Sequence, residues 1–114
     1  MTANPYVPDI GDIVSIDFIT PAEHGRAGRC QAVVLSPKAY NAKSGLMVCL
    51  PVTSKIKGYP FEVPLSGQSH PMVALADQLN SLGWESRQVE RIGRAKPEEL
   101  GQLLAMIKAL LKIM

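Results

Sequence analysis

Cysteine is scarce in this chain. Cys30 and Cys49 are the only two among 114 residues, and neither stands in a CxxC or Cys/His pattern. That argues against a dense disulfide framework and against a Cys/His metal site. Cys49 sits inside an apolar run and reads as a small core residue. No apolar run approaches the ~20 residues needed to cross a bilayer. The start, Met1-Thr2-Ala3-Asn4-Pro5, lacks the basic and apolar regions of a secretory signal. The expectation is a cytoplasmic protein with no membrane contact, and a reducing cytoplasm argues against a Cys30–Cys49 disulfide. Charge of one sign is lacking too. A net charge of +2 does not announce a nucleic-acid binder, so the placement of the cations matters more than their sum.

At 114 residues the chain suits one domain, 1–114, with a single compact core. Ile10 to Phe18 alternates, Ile13, Ser15 and Asp17 against Val14, Ile16 and Phe18, as a half-buried strand does. Ala32–Leu35 is a short apolar strand, Asn41-Ala42-Lys43-Ser44-Gly45 a turn, and Leu46–Thr53 a buried strand. Phe61–Leu65 alternates again, and its Pro64 points to an edge or a strand end. Met72–Ala76 is a further strand, closed by the polar Asp77-Gln78-Leu79-Asn80. Arg87–Arg94 completes the set with Val89 and Ile92 inward.

The C-terminus is helical. Pro97 suits the first helical position, Glu98 and Glu99 the positive end of the dipole, and Lys108 and Lys112 the negative end. Leu100, Leu103, Leu104, Ile107, Leu110 and Leu111 form one apolar stripe at helical spacing. Short strands plus a terminal helix define the fold class as mainly β with a C-terminal helix (α+β), a small, strongly bent β-barrel capped by that helix.

The cations fall in groups. Arg26 and Arg29 lie in the Gly-punctuated segment Glu23-His24-Gly25-Arg26-Ala27-Gly28-Arg29-Cys30, which leads into the apolar strand. Lys55 and Lys57 share a second loop; Arg87, Arg91 and Arg94 form a third group. A loop of this kind can follow a phosphodiester backbone, and if the first two loops meet in space they make an anion site. His24 is a titratable group in the first loop, able to serve as acid or base near neutral pH. His70 receives no role. Cys30 as a nucleophile would need a base and an acyl-type substrate, and no such arrangement is visible.

Several stretches carry a resemblance together. They are Tyr6-Val7-Pro8-Asp9-Ile10-Gly11-Asp12; Ala32-Val33-Val34-Leu35-Ser36-Pro37 through Tyr40-Asn41; and Pro51-Val52-Thr53-Ser54 with Lys57-Gly58-Tyr59-Pro60-Phe61-Glu62-Val63. With Leu75-Ala76-Asp77-Gln78 and the final helix, they resemble, in order and spacing, the MazF/PemK-type toxins of bacterial type II toxin–antitoxin systems. The resemblance implies an SH3-like barrel of the PemK/CcdB toxin fold, acting as a homodimer. It implies a metal-independent endoribonuclease that cuts single-stranded mRNA at short sequences, without a cofactor. It also implies a cognate antitoxin with an acidic tail in the RNA groove, and operator DNA reached through the antitoxin complex.

Cleaving RNA without a metal uses the ribose 2′-OH as nucleophile. It needs a base, an acid for the leaving 5′-oxygen, and donors aimed at the phosphate. Thr53 falls where the resemblance places the catalytic threonine. Cys30 falls where it places the catalytic arginine, Gln31 where it places a proline, and Gly25, with Glu23 near, where it places a glutamate. Three readings of Cys30 stand open. In one, Arg29 serves from one residue earlier, which on a regular strand would need a bulge or loop conformation. In another, the protein binds RNA without cleaving it. In the third, the change was selected or made to disarm a toxin. For RNA contacts, Arg26, Lys55 and Lys57 suit the backbone, Tyr59 can stack on a base, and Gln78 and Asn80 can read base edges. Two rival functions remain: a non-cleaving partner of antitoxin, RNA or operator DNA, and a gyrase-targeting toxin on the same barrel.

Overall fold

A computed structural model describes residues 6–17 and 29–112. The strands are β1 (Asp12–Asp17), β2 (Arg29–Val34), β3 (Leu46–Thr53), β4 (Glu62–Leu65), β5 (Met72–Leu75), β6 (Asn80–Gly83) and β7 (Glu90–Arg94); the helices are α1 (Lys38–Ser44) and α2 (Pro97–Leu111). The strands form one seven-stranded sheet in the order β4-β5-β3-β2-β1-β7, with β6 also on β3, and every pairing is antiparallel. One edge of β3 is thus shared: β6 pairs with Leu46–Cys49, and β5 with Val52 and Thr53.

The bent sheet buries apolar side chains on both faces. Ile13, Val33, Leu50 and Val52 point to one side, where Val63, Leu65, Met72, Leu103 and Ile107 cover them. Val14, Ile16, Ala32, Val34, Met47 and Cys49 point to the other, against Tyr6, Leu82, Trp84 and Val89. Alternate residues of β1 to β3 therefore feed two apolar layers. This corrects the expectation of a half-buried first strand, since Ile13 and Val14 are both buried.

Other expectations change as well. The segment 41–45 is not a simple turn but the end of α1, closed by Gly45 at φ +73° with its N–H donating to Asn41 O. At seven residues α1 is too short to show a helical period. It is held instead by Asn41, whose buried amide donates to Pro8 O and Ser36 O while Ser36 Oγ donates to Asn41 Oδ1. β6 had no alternation to reveal it and exists because β3 offers an edge. Ile92 is not inward: it is 48% exposed. Ile13 pairs with Gly93 and Val14 with Arg91, so Ile92 is the extra residue of a bulge, which takes it out of the alternation. On α2 the stripe is core only as far as Ile107: Leu103 and Ile107 are buried, Leu100 and Leu104 half-buried, and Leu110 and Leu111 exposed. The reading of Pro64 holds, since β4 is an edge strand.

Both cysteines are free thiols, Cys30 exposed and Cys49 buried. Burial pushes the Cys49 thiol up to about 11, so little thiolate exists there at neutral pH. Iodoacetamide at pH 8 should therefore alkylate Cys30 and spare Cys49 in the native protein. Peptide mass spectrometry checks this, and equal labelling of the two would contradict the burial. Among the described residues no helix is long and apolar enough to cross a membrane.

Candidate active site

β3 delivers Thr53 to the rim of the barrel. Its backbone is fixed by pairing with Val73, and its Oγ1 accepts a 3.0 Å hydrogen bond from Lys55 N–H. Because that bond uses a lone pair, the hydroxyl hydrogen remains able to donate to an incoming oxygen. Thr53 opens into a groove of about 160 Å3 lined also by Lys55, Lys57, Tyr59, Glu62, Leu75 and Gln78. Five of the residues proposed from sequence thus share one groove: Thr53, Lys55, Lys57, Tyr59 and Gln78.

The groove combines cations with a stacking surface. Lys55 and Lys57 are exposed. Tyr59 donates through its hydroxyl to Asp77 Oδ1 at 3.3 Å. Desolvation and the Asp77 carboxylate hold its phenol above the ordinary range, so the ring stays neutral at pH 7. The Glu62 carboxylate faces the loop backbone, accepting from Lys57 N–H and Gly58 N–H at 2.8 Å each. Sequence reasoning singled out neither Glu62 nor Asp77. The signal for Glu62 was a carboxylate placed just after the turn glycine of a polar loop.

The remaining sequence candidates lie elsewhere. Asn80 pairs with Cys49 on β3 and lines, with Cys30, a separate apolar slot of about 80 Å3. Cys30 is exposed on β2. The β2–β3 register pairs Gln31 with Val52; carried one residue further, it sets Cys30 opposite Thr53. Arg29 points the other way. Its guanidinium donates to Ser15 Oγ, Ser15 O, Asp17 Oδ1 and Gln88 O, with Glu90 3.8 Å away. These bonds cross β1 toward β7, whereas Thr53 lies beyond the opposite edge of β2. The guanidinium is therefore engaged by the barrel and not aimed at Thr53, because side chains of successive strand residues leave on opposite faces. Arg94 is likewise structural, donating to the buried Asp12 at 2.6 Å. His24 and Arg26 lie outside the described residues.

Fold and groove together define a small antiparallel β-barrel with a helix packed on it, bearing at one strand end a hydroxyl and lysines suited to a phosphate backbone. The sequence pattern of the PemK-like, MazF-like toxins of type II toxin–antitoxin systems matches residues 9–111. The chain is 48% identical over 106 residues to the endoribonuclease toxin MazF of Escherichia coli strain K12, covering 93% of this chain and 96% of that protein. The crystal structure of MazE-MazF (Form-II) from Deinococcus radiodurans superposes with a TM-score of 0.88 at 44% identity, covering 96% of this chain and 99% of that one. An endoribonuclease in complex with its cognate antitoxin from a mycobacterial species shares the fold, with a TM-score of 0.74 at 18% identity over 94% of this chain and 97% of that one. The chain belongs to the PemK/MazF-like toxin family, with its SH3-like barrel of the PemK/CcdB type. Membership favours an RNA-cleaving toxin over the non-cleaving and gyrase-targeting alternatives.

Proposed function

We propose that the chain is a cytoplasmic endoribonuclease toxin that cuts single-stranded mRNA at short sequences, with the groove at Thr53 as its cleavage site. The observation that carries this reading is the grouping of Thr53, Lys55 and Lys57 in one groove of a chain 48% identical to an endoribonuclease toxin. Lys55 and Lys57 neutralise the RNA backbone, Tyr59 offers its ring to a base, and Gln78 offers an amide to a base edge. Arg26 joins the backbone contacts, and Asn80 reads a base at the neighbouring slot. The 2′-oxygen attacks phosphorus and the P–O5′ bond breaks, leaving a 2′,3′-cyclic phosphate and a 5′-hydroxyl. Thr53 donates its hydroxyl to a phosphate oxygen as negative charge builds there. His24 is a candidate for one of the two proton transfers. No metal or cofactor takes part.

The single domain works as a homodimer, for which Ile92, Leu110 and Leu111 offer exposed apolar surface. A cognate antitoxin neutralises it by laying an acidic tail in the groove, and the complex reaches operator DNA through the antitoxin. Family membership and the MazE-MazF relative support the antitoxin; charge complementarity with Lys55 and Lys57 supports the acidic tail.

Thr53→Ala should lower RNA cleavage in EDTA on the order of a hundredfold, the usual cost of losing one donor to the developing charge, while Thr53→Ser retains most of it. Gel-resolved cleavage of a mixed-sequence RNA, with thermal melting as the control for folding, checks this. Unchanged cleavage in Thr53→Ala would remove Thr53 from the site.

A further inference from the structure

We infer that Glu62 is a positioning residue for RNA binding: its carboxylate fixes the Lys55–Tyr59 loop in the shape that presents both lysines to the RNA backbone. The inference rests on the proposed role of the groove and extends it to a residue that does not itself touch the substrate.

Ser54 to Gly58 are all exposed, so packing does not hold this loop, and an unpacked loop keeps its conformational entropy unless specific bonds remove it. The bonds are few and sit at its two ends. Thr53 Oγ1 accepts from Lys55 N–H, and Ser54 O from Ile56 N–H. At the far end two consecutive N–H groups converge on one side chain: Lys57 N–H donates to Glu62 Oε2 and Gly58 N–H to Glu62 Oε1, both at 2.8 Å. Gly58 has φ +83°, a left-handed conformation that helps both N–H groups face the same carboxylate. Bonds to an ionised acceptor are about twice as strong as neutral ones.

Glu62 is itself well anchored. It pairs with Leu75 on β5, and its N–H donates to Tyr59 O at 3.2 Å. The clamp therefore ties the loop to the sheet and sets Lys57 and Tyr59 relative to Thr53.

The sign of a substitution's effect separates two roles for this carboxylate. In a groove for a polyanion its charge alone should weaken binding, so on charge alone Glu62→Gln tightens RNA binding. As a clamp, Glu62 has the opposite effect. Glutamine keeps one oxygen acceptor, but its NH2 faces the second N–H and cannot accept from it. Glu62→Gln should then bind RNA about threefold more weakly and Glu62→Ala about tenfold more weakly, in line with the sensitivity of sites to a loosened supporting shell.

The probe is a mixed-sequence single-stranded RNA with 2′-O-methyl groups, which binds but lacks the nucleophile. Affinity is measured across a salt series, with Lys55→Ala and Lys57→Ala alongside. For a single strand, each phosphate that the protein no longer neutralises flattens the log–log salt dependence by about 0.7, so Glu62→Ala should approach the slope of the lysine variants. Amide hydrogen exchange at Lys57 and Gly58 should quicken in both Glu62 variants while the melting temperature stays near native. Weaker binding, a flatter slope and faster exchange support the inference. Binding in Glu62→Gln that is unchanged or tighter, or exchange at Gly58 that is unchanged, overturns it. If the lysine variants bind RNA like the parent chain, the RNA reading of the groove fails, and the inference falls with it. If the lysines matter and Glu62 does not, the inference alone falls.

Discussion

Cys30→Arg should raise cleavage of single-stranded RNA in EDTA by about a hundredfold or more, the size of effect that one well-placed donor to a developing oxyanion has. Cys30 is exposed on β2, and the β2–β3 register sets it opposite Thr53. A guanidinium there would meet the same phosphate as the threonine hydroxyl, and its planar fork matches two phosphate oxygens at once. A thiol offers one weak donor and no fixed positive charge. Arg29, the nearest described guanidinium in sequence, is bonded to Ser15, Asp17 and Gln88 on the β1–β7 side. Moving it to the groove would leave Asp17 without its 2.7 Å ion-pair partner. Initial rates on a mixed-sequence RNA, parent against Cys30→Arg, decide the matter. A gain shows that the missing guanidinium limits the parent enzyme. Equal rates show that another group already stabilises the transition state in the parent, and Arg26 would be the next residue to substitute.

Leu103→Ala should cost about 2–5 kcal/mol of folding stability, the range for removing a fully buried leucine and leaving a cavity. Leu103 is 0% exposed and belongs to the apolar layer that joins α2 to Val33, Leu50, Val63 and Leu65. Domains of this size hold only about 5–15 kcal/mol in all, so the loss is a large share of the total. Leu104, half-buried one residue on, should cost less when truncated, and the exposed Leu111 should change stability by no more than about 0.5 kcal/mol. Urea unfolding midpoints of the three alanine variants test the order. Equal effects at 103 and 111 would show that the helix docks by a different face.

Much of the fold was legible because its signals are local. The run Leu46–Thr53 reads as a buried strand; it is a strand paired along both edges, with Met47, Cys49, Leu50 and Val52 buried but Leu46 at its start exposed. Pro64 reads as an edge position, and β4 is one. Pro97, the two glutamates and the leucine spacing mark a helix that is present from Pro97. Thr53, Lys55 and Lys57 were legible as a group because one strand end and the loop after it carry all three. Signals failed where a partner distant in sequence decides the outcome. α1 depends on Asn41 finding Pro8 O across 33 residues. β6 has no pattern of its own and forms on the edge of β3. Ile92 looks apolar and inward by alternation, but a one-residue bulge against β1 turns it out.

The chain's own pattern thus settled the class of fold and the core strand and helix, and it placed Thr53, Lys55 and Lys57 close together at the end of β3. These follow from periodicity and residue type over a few neighbours. The three-dimensional packing settled which way two adjacent residues face, Arg29 toward β1 and Gln88, Cys30 toward the slot beside Asn80, and what holds the groove's loop in place. A strand residue's direction is set by register with β1 and β3, and the Lys55–Tyr59 loop is shaped by a carboxylate on another strand. The first depends on separate strands meeting, which no local stretch encodes; the second joins residues only four and five apart, but the bend that brings Glu62 onto Lys57 and Gly58 is a matter of three-dimensional path and not of residue pattern.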